Sequence, residues 1–470
     1  VAEAPSASLA AFVALLACPA CRSELQDLAL RSDCLLCRQC GTRFPLFRNG
    51  ATTIPWLFRD PDGAHAEWRA RFNGYLHAST AEQNRLKASL SDPNCGPAAS
   101  ARIATVKEAK ETQRRQIFDL LAPLALDAPR TSAALDRAGL LHGKLPRQQS
   151  LTSYHDNVFR DWAWENGENE RLLECLASVL RPVAAYSAGK VLALGAGACR
   201  LPYDFHSRYQ PELTIALDLN PLLLLLAGRV LQGQTVPFYE FPVAPLDKGS
   251  FAVLRACVAP RPLTSAELAG FALVLGDALY PPFKQAAFDT VLTPWYIDIV
   301  PQDLADCVRN VNRLLKPGGV WLNTGSLAFF HRNEGWCYSD EEALDLLRGN
   351  GFEVLAAERA TVPYLHSPAS AHGRVEQVWS FAARKVAQAQ VSRPTAYLPP
   401  WIRDPDRPVP DLDEFVVASA SHLLKAQTLA AIDGRRTLEE IAALVAKRYG
   451  IQRSEARGAV ERILLEIYEA

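Results

Sequence analysis

No stretch of 18 or more apolar residues occurs in the 470-residue chain, and even 222-LLLLLA-227 is far short of a membrane span. That lack excludes a transmembrane helix from the reading. No basic region precedes 8-SLAAFVALLAC-18, so the segment reads as a buried leader into the next domain rather than as a signal peptide. Neither sign of charge is in excess: 50 basic side chains stand against 51 acidic ones, for a formal net charge of -1. No global field therefore steers the protein to nucleic acid or to an anionic membrane, and neither is expected as a partner. Eleven cysteines are too few for a disulfide scaffold of this length, and their odd number fits a reducing compartment, with the cytoplasm the expected location. Methionine is absent altogether, and the spacings below are counted on the chain as it stands.

A chain of this length exceeds one ordinary hydrophobic core, so several domains are expected. The first, over residues 10–60, concentrates its cysteines in two knuckles, 18-CPAC-21 and 37-CRQC-40. Two such pairs supply four thiolates in a tetrahedral set, which suits zinc better than iron, and four filled positions leave none open for catalytic water. Cys18, Cys21, Cys37 and Cys40 are thus expected to hold a structural Zn2+. Cys34 is the spare, because Gly41 directly after Cys40 frees the second turn. With the following 41-GTRFPLFRNGATTIPWLF-58, the region resembles the zinc ribbon of the Trm112-like family. Members of that family accompany methyltransferases as separate activators or as fused domains.

Residues 61–180 read as a helical cap or support, with apolar residues at helical spacing across 102-RIATVKEAKETQRRQIFDLLAPL-124. Within 154-YHDNVFRDWAWENGENERLLECLASVL-180, the polar groups Asp161, Glu165 and Arg171 are placed to line a pocket rim. From 181 to 386 apolar strands alternate with helices, which predicts an α/β fold: an open parallel sheet covered on both faces, with an antiparallel end. The expected strands are 191–195, 213–218, 271–277, 288–295, 320–325, 352–358 and 377–384. Residues 234–266 fit no minimal crossover and read as an insertion able to cover a substrate. A Pro-rich linker over 387–414 follows, then a small helical or winged-helix module over 415–470 with a capping box at Thr437 and Glu440.

The chemistry is concentrated at 191-VLALGAGACRLPYDF-205. Gly195 and Gly197 permit a sharp turn after the first strand and a close ligand approach, and the next helix points free amides over the sheet edge. Asp218 closes the second strand, where a carboxylate can accept both hydroxyl hydrogens of a ribose. An adenosine-bearing ligand follows, either a dinucleotide or a sulfonium cofactor. The turn lacks the third glycine of G-x-G-x-x-G, which removes support for a pyrophosphate clamp. Asp277, just beyond the third strand in 275-LGDALYPPF-283, is placed to receive an adenine amino hydrogen, and 316-KPGG-319 reads as a tight turn into the fifth strand.

Residues 154–386 resemble the N2227-like family, which includes carnosine N-methyltransferase, through 159-FRDWAWENGENER-171, the glycine turn, 288-FDTVLTPWYIDIV-300, 312-NRLLKPGGVWLNTGSLAFFH-331 and 350-NGFEV-354. The resemblance implies a Rossmann-like class I methyltransferase sheet and methylation of an imidazole nitrogen from S-adenosylmethionine. Carried over by position, Gly195, Gly197 and Asp218 would hold the cofactor, with Arg200, Asn220, Asp277 and Thr293 as further contacts. Asp298 and His331 would face the substrate, and Tyr364 would complete the imidazole pocket. The chain departs from the family at Cys199, which stands for a small glycine, and in 361–379, which lacks the repeated tyrosines of the carnosine enzymes.

The final module resembles the PqqD-like family in 431-AIDGRRTLEEIAALVAKRYG-450. That resemblance implies a compact fold binding the leader of a ribosomal precursor peptide, with an exposed strand edge for pairing. Three readings remain open: an enzyme acting on a small imidazole metabolite, a peptide-modifying methyltransferase, and a non-catalytic binding partner of another enzyme.

Overall fold

The computed structural model describes residues 9, 12–23, 28–126, 150–329, 334–389, 401, 404 and 406–469. The chain divides into two compact units, residues 1–395 and 396–470.

The first unit is organised by an eleven-stranded sheet. Its centre is formed by β5 (Lys190–Leu194) and β6 (Leu213–Asp218), with β9 (Phe271–Gly276) on one side and β10 (Phe288–Pro294) and β11 (Leu315–Gly325) on the other. These five strands run parallel in the order β9-β6-β5-β10-β11. The long strands β12 (Phe352–Tyr364) and β13 (Arg374–Lys385) close that side, with β13 inserted antiparallel between β11 and β12. This is the Rossmann-like sheet the sequence led one to expect, with its antiparallel end where the alternation placed it. The alternation has a direct physical reading in β5. Val191 and Ala193 enter one buried cluster while Leu192 and Leu194 enter the other, so both faces are covered and every position after Lys190 is apolar.

Helices cover these faces: α1 (Pro61–Ser91), α2 (Pro97–Leu121), α3 (His155–Trp162), α4 (Glu168–Leu180), α5 (Arg200–Tyr209) and α6 (Pro221–Leu231) precede the third core strand. The leucine run lies in α6, where each of Leu222 to Leu226 is buried, so it is a core helix. The presumed insertion contains a two-stranded sheet of β7 (Val236–Glu240) and β8 (Val253–Cys257), and a short helix, α7 (Ser265–Ala269). Two more helices, α8 (Leu304–Leu314) and α9 (Asp340–Gly349), flank β11. The KPGG segment does not precede β11 but bulges from within it. Phe288 faces Leu315 whereas Thr290 faces Val320, and Lys316 Nζ bridges both Asp289 oxygens at 2.8 Å.

The cysteine region is continuous with this sheet. Strands β1 (Leu28–Leu30), β2 (Cys34–Cys37), β3 (Arg43–Asn49) and β4 (Thr52–Leu57) form an antiparallel meander. Its last member then pairs parallel with β9, Trp56 opposite Leu275 and Leu57 opposite Gly276. The segment after the second cysteine pair therefore joins the cysteine region to the edge of the main sheet through Trp56 and Leu57.

The second unit contains α10 (Asp413–Ala430), α11 (Leu438–Tyr449) and α12 (Arg453–Glu469). Thr437 and Glu440 make the expected reciprocal cap at the start of α11. Among its described residues the unit consists of three helices, in keeping with the helical form expected of the module. Residues 413–430 contain neither Gly nor Pro and continue as one helix. Ile441, Ala442, Val445, Ala456 and Val460 form the small core of this unit.

Candidate functional site

The turn after β5 is held in a conformation that glycine favours. Gly195 and Gly197 have φ values of 65° and 57°. A Cβ on Gly195 would sit 2.5 Å from Cδ2 of Tyr296, whereas one on Gly197 would meet nothing within 4 Å. The first glycine serves close packing and the second leaves space over the sheet edge.

Asp218 fastens this turn to the end of β6. Its carboxylate accepts from Gly197 N and Asn220 N, each at 2.8 Å. Burial pushes its pKa up to about 6, against the lowering effect of the backbone amides. Asn220 caps α6 by accepting from Leu222 N at 3.0 Å and donates Nδ2 to Ser153 O at 3.3 Å. Asp277 follows β9 and accepts from Leu279 N at 2.8 Å; burial raises its pKa, and Arg22 opposes that rise.

One cavity is lined by Gly195, Gly197, Asp218, Asn220 and Asp277 together with Trp295, Asp298, Ser326 and Tyr364. Asp298 is 5% exposed, and its Oδ2 accepts from the Ser326 hydroxyl and, at 3.1 Å, from Ala328 N. Burial raises its pKa, and those two donors act in the opposite direction. Tyr364 packs edge-on against Trp295, ring centroids 4.7 Å apart, and Arg374 lies 4.3 Å over the outer tyrosine ring. Trp295 Nε1 is buried without a hydrogen-bond partner among the described residues.

Two of the expected contacts lie elsewhere. Arg200 Nε engages both Asp204 oxygens, at 3.0 and 2.9 Å, while Nη1 donates to Asp161 O at 2.8 Å and Nη2 to Glu170 at 3.2 Å. It ties α3 and α4 to α5 rather than lining the cavity. Thr293 lies within the sheet, where its hydroxyl donates to Asn323 Oδ1 at 2.8 Å and accepts from Trp321 Nε1 at 2.9 Å. His331 lies outside the described residues. Asp161 lines the cavity, whereas Glu165 and Arg171 are exposed and do not.

Sequence reasoning missed Arg160. It lines the cavity at 7% exposure, with Nε donating to Asp161 at 2.8 Å and standing 3.8 Å from Glu168. Its Nη1 is buried without a hydrogen-bond partner among the described residues, so a guanidinium face remains for an anionic ligand group. Glu168 is pushed up to about 7 by burial, against the pull of Arg160. The signal was the FRDW segment, which places an arginine beside an acid on one turn of α3.

The chemistry of this set fits S-adenosylmethionine. Arg160, with an unpartnered Nη1, would hold its carboxylate, Asp218 at the end of β6 would hold its ribose, and Gly197 leaves open space in the same cavity. The four cysteines likewise fit a tetrahedral ion. Sγ atoms of Cys18, Cys21, Cys37 and Cys40 lie within 4.8 Å of one another. Cys18 and Cys40 are 3.7 Å apart, and Cys21 and Cys37 are 3.8 Å apart. Four Zn–S bonds of ~2.3 Å set tetrahedral edges of about 3.8 Å.

Comparison with known proteins finds the methyltransferase domain family matching residues 245–322. Carnosine N-methyltransferase of Dictyostelium discoideum is 26% identical over 221 residues, covering 42% of this chain and 46% of that protein. The chain thus spans about half the length of the curated relative it matches. Among solved structures, a Bacillus halodurans protein described as a putative methyltransferase is 16% identical, covering 45% of this chain and 99% of its own, with a TM-score of 0.31. Haemonchus contortus phosphoethanolamine N-methyltransferase 2, solved with S-adenosyl-L-methionine, is 14% identical over 52% of this chain and 62% of its own, with a TM-score of 0.33.

Proposed function

We propose that this S-adenosylmethionine-dependent methyltransferase acts on an imidazole-type nitrogen, carried by a small molecule or a peptide. The observation that carries the reading is Asp298, a buried carboxylate fixed by Ser326 and Ala328 in the same cavity as Gly195, Gly197 and Asp218. The match to carnosine N-methyltransferase supports the same acceptor chemistry.

When bound, the cofactor supplies an electrophilic methyl group on sulfur. Asp218 would accept from its ribose hydroxyls, Asp277 from the adenine amino group, and Arg160 Nη1 would donate to its carboxylate. Trp295 and Tyr364 flank the acceptor ring and exclude water. Asp298 accepts the N–H of that ring, which leaves the lone pair on the other nitrogen free to attack. As the N–C bond forms and the C–S bond breaks, positive charge develops on the ring beside a fixed carboxylate. The ring proton then passes to Asp298, whose pKa burial has raised towards that task.

The wider assignment is an N2227-like catalytic domain, a Trm112-like ribbon with structural Zn2+ and a PqqD-like terminal module. None of the eleven cysteines is paired in a disulfide and four of them form the candidate metal set, a usage that supports a cytoplasmic location. Among the described residues, no helix is long and apolar enough to cross a membrane.

The test is incubation with methyl-labelled cofactor and a histidine-containing dipeptide, or a His-containing peptide, followed by mass analysis of the product. Methyl label on the imidazole is expected, with kcat reduced roughly 100- to 10,000-fold in Asp298→Asn. Label on another group, or cofactor binding without turnover on any imidazole acceptor, overturns the assignment.

A further inference from the structure

The two cysteine knuckles close by the same hydrogen bond but end on different residues. Gly41 N donates to Cys37 O at 2.9 Å, and Arg22 N donates to Cys18 O at 2.9 Å. Both terminal residues are left-handed, with φ 73° at Gly41 and 63° at Arg22. Arginine thus occupies a left-handed backbone position that its twin fills with glycine, a conformation that costs free energy for any residue with a Cβ. Strain of this kind at a defined position points to a role for the side chain.

That side chain leaves the ribbon for the loop between β9 and β10. Its Nη1 donates to Pro281 O at 3.3 Å, and its guanidinium lies 5.6 Å from the centre of the Tyr280 ring, which Arg59 also faces at 5.6 Å. The backbone beside the knuckle grips the same loop: Ala17 N donates to Pro282 O at 3.0 Å, and Lys284 N donates to Leu15 O at 2.9 Å. The start of this loop supplies Asp277, Ala278 and Leu279 to the cavity. Tyr280 N donates to Asp277 O at 3.0 Å, so the residue under the guanidinium is bonded to the one that faces the ligand.

We propose that Arg22 is a positioning residue that couples metal loading of the four-cysteine cluster to cofactor affinity. The ion holds the knuckle closed, the closed knuckle holds Arg22 left-handed, and Arg22 holds the loop that presents Asp277. The inference rests on the S-adenosylmethionine reading of the cavity, and it extends that reading to a second site on the ribbon.

Arg22→Gly separates positioning from general support, because glycine relieves the strain while removing the contact. The zinc-loaded variant is expected to keep one zinc per chain and to melt no lower than the parent protein. Its Kd for S-adenosylmethionine should rise about tenfold, a coupling within the usual range, while kcat at saturating cofactor stays within twofold. Removing zinc from the parent protein should weaken binding by a similar factor and add little to the loss in the variant, since both act on one element. A Kd within twofold of the parent, or independent losses that multiply, overturns the proposal. If the unaltered protein binds no cofactor at all, the methyltransferase reading falls first and this coupling with it. That outcome differs from the others in showing no contrast between variants.

Discussion

Asp218 uses one carboxylate for two purposes, fastening the glycine turn and facing the space above it. Burial moves its pKa from an ordinary 3.8 to about 6. The folded chain therefore binds a proton more tightly than the unfolded chain, and this residue makes folding less favourable as pH rises through that window. On the proposed role in holding the ribose, which needs the ionised form, its contribution to cofactor affinity should be present above about pH 6 and be lost as pH falls below it. Titration calorimetry should show affinity falling roughly tenfold at one pH unit below that midpoint. Asp218→Asn should bind weakly at all pH values and flatten the dependence. An unchanged slope in that variant would assign the titration to another group.

At the scale of the element, the turn joining β5 to α5 depends on two glycines for different reasons. Gly195→Ala should lower the thermal midpoint because it adds a clash with Tyr296 to a left-handed backbone. Gly197→Ala meets no side chain, so its folding cost should stay near the ~1–2 kcal/mol of the backbone conformation alone. Its methyl group instead enters the cavity and should reduce cofactor binding by a larger factor than it changes stability. Scanning calorimetry and cofactor titration on both variants check the contrast; equal behaviour would show that the turn acts only as a structural hinge. The KPGG bulge carries a related lesson. Glycines marked an irregularity, but only strand pairing decided that β11 begins before them, because Leu315 already pairs with Phe288.

At the scale of the whole molecule, the ribbon and the catalytic sheet share one set of strands, whereas residues 396–470 form a separate unit with its own core. Removal of residues 396–470 should therefore leave the melting transition of the first unit within a few degrees of its original value. If the terminal unit recruits a peptide, the truncated protein should lose methylation of the peptide while retaining that of a free dipeptide. Equal loss on both would assign the unit to fold support.

Much of this architecture was legible in the chain because it follows from short-range rules. Apolar runs marked the core strands, glycine marked the turn at 195–197, the T-x-x-E spacing marked the start of α11, and paired C-x2-C knuckles marked the four cysteines that the fold brings together. Side-chain direction was not legible. Arg200 follows the glycine turn directly, yet it turns to Asp204 and Glu170, while Arg160, 35 positions from Gly195, reaches the cavity. Arg22 likewise meets its partner Pro281 across 259 positions. Local periodicity and turn chemistry are decided among near neighbours, so the sequence by itself determined which elements form. Which distant groups share a cavity depends on strand pairing and helix packing brought about by burial, and that only the tertiary structure decided.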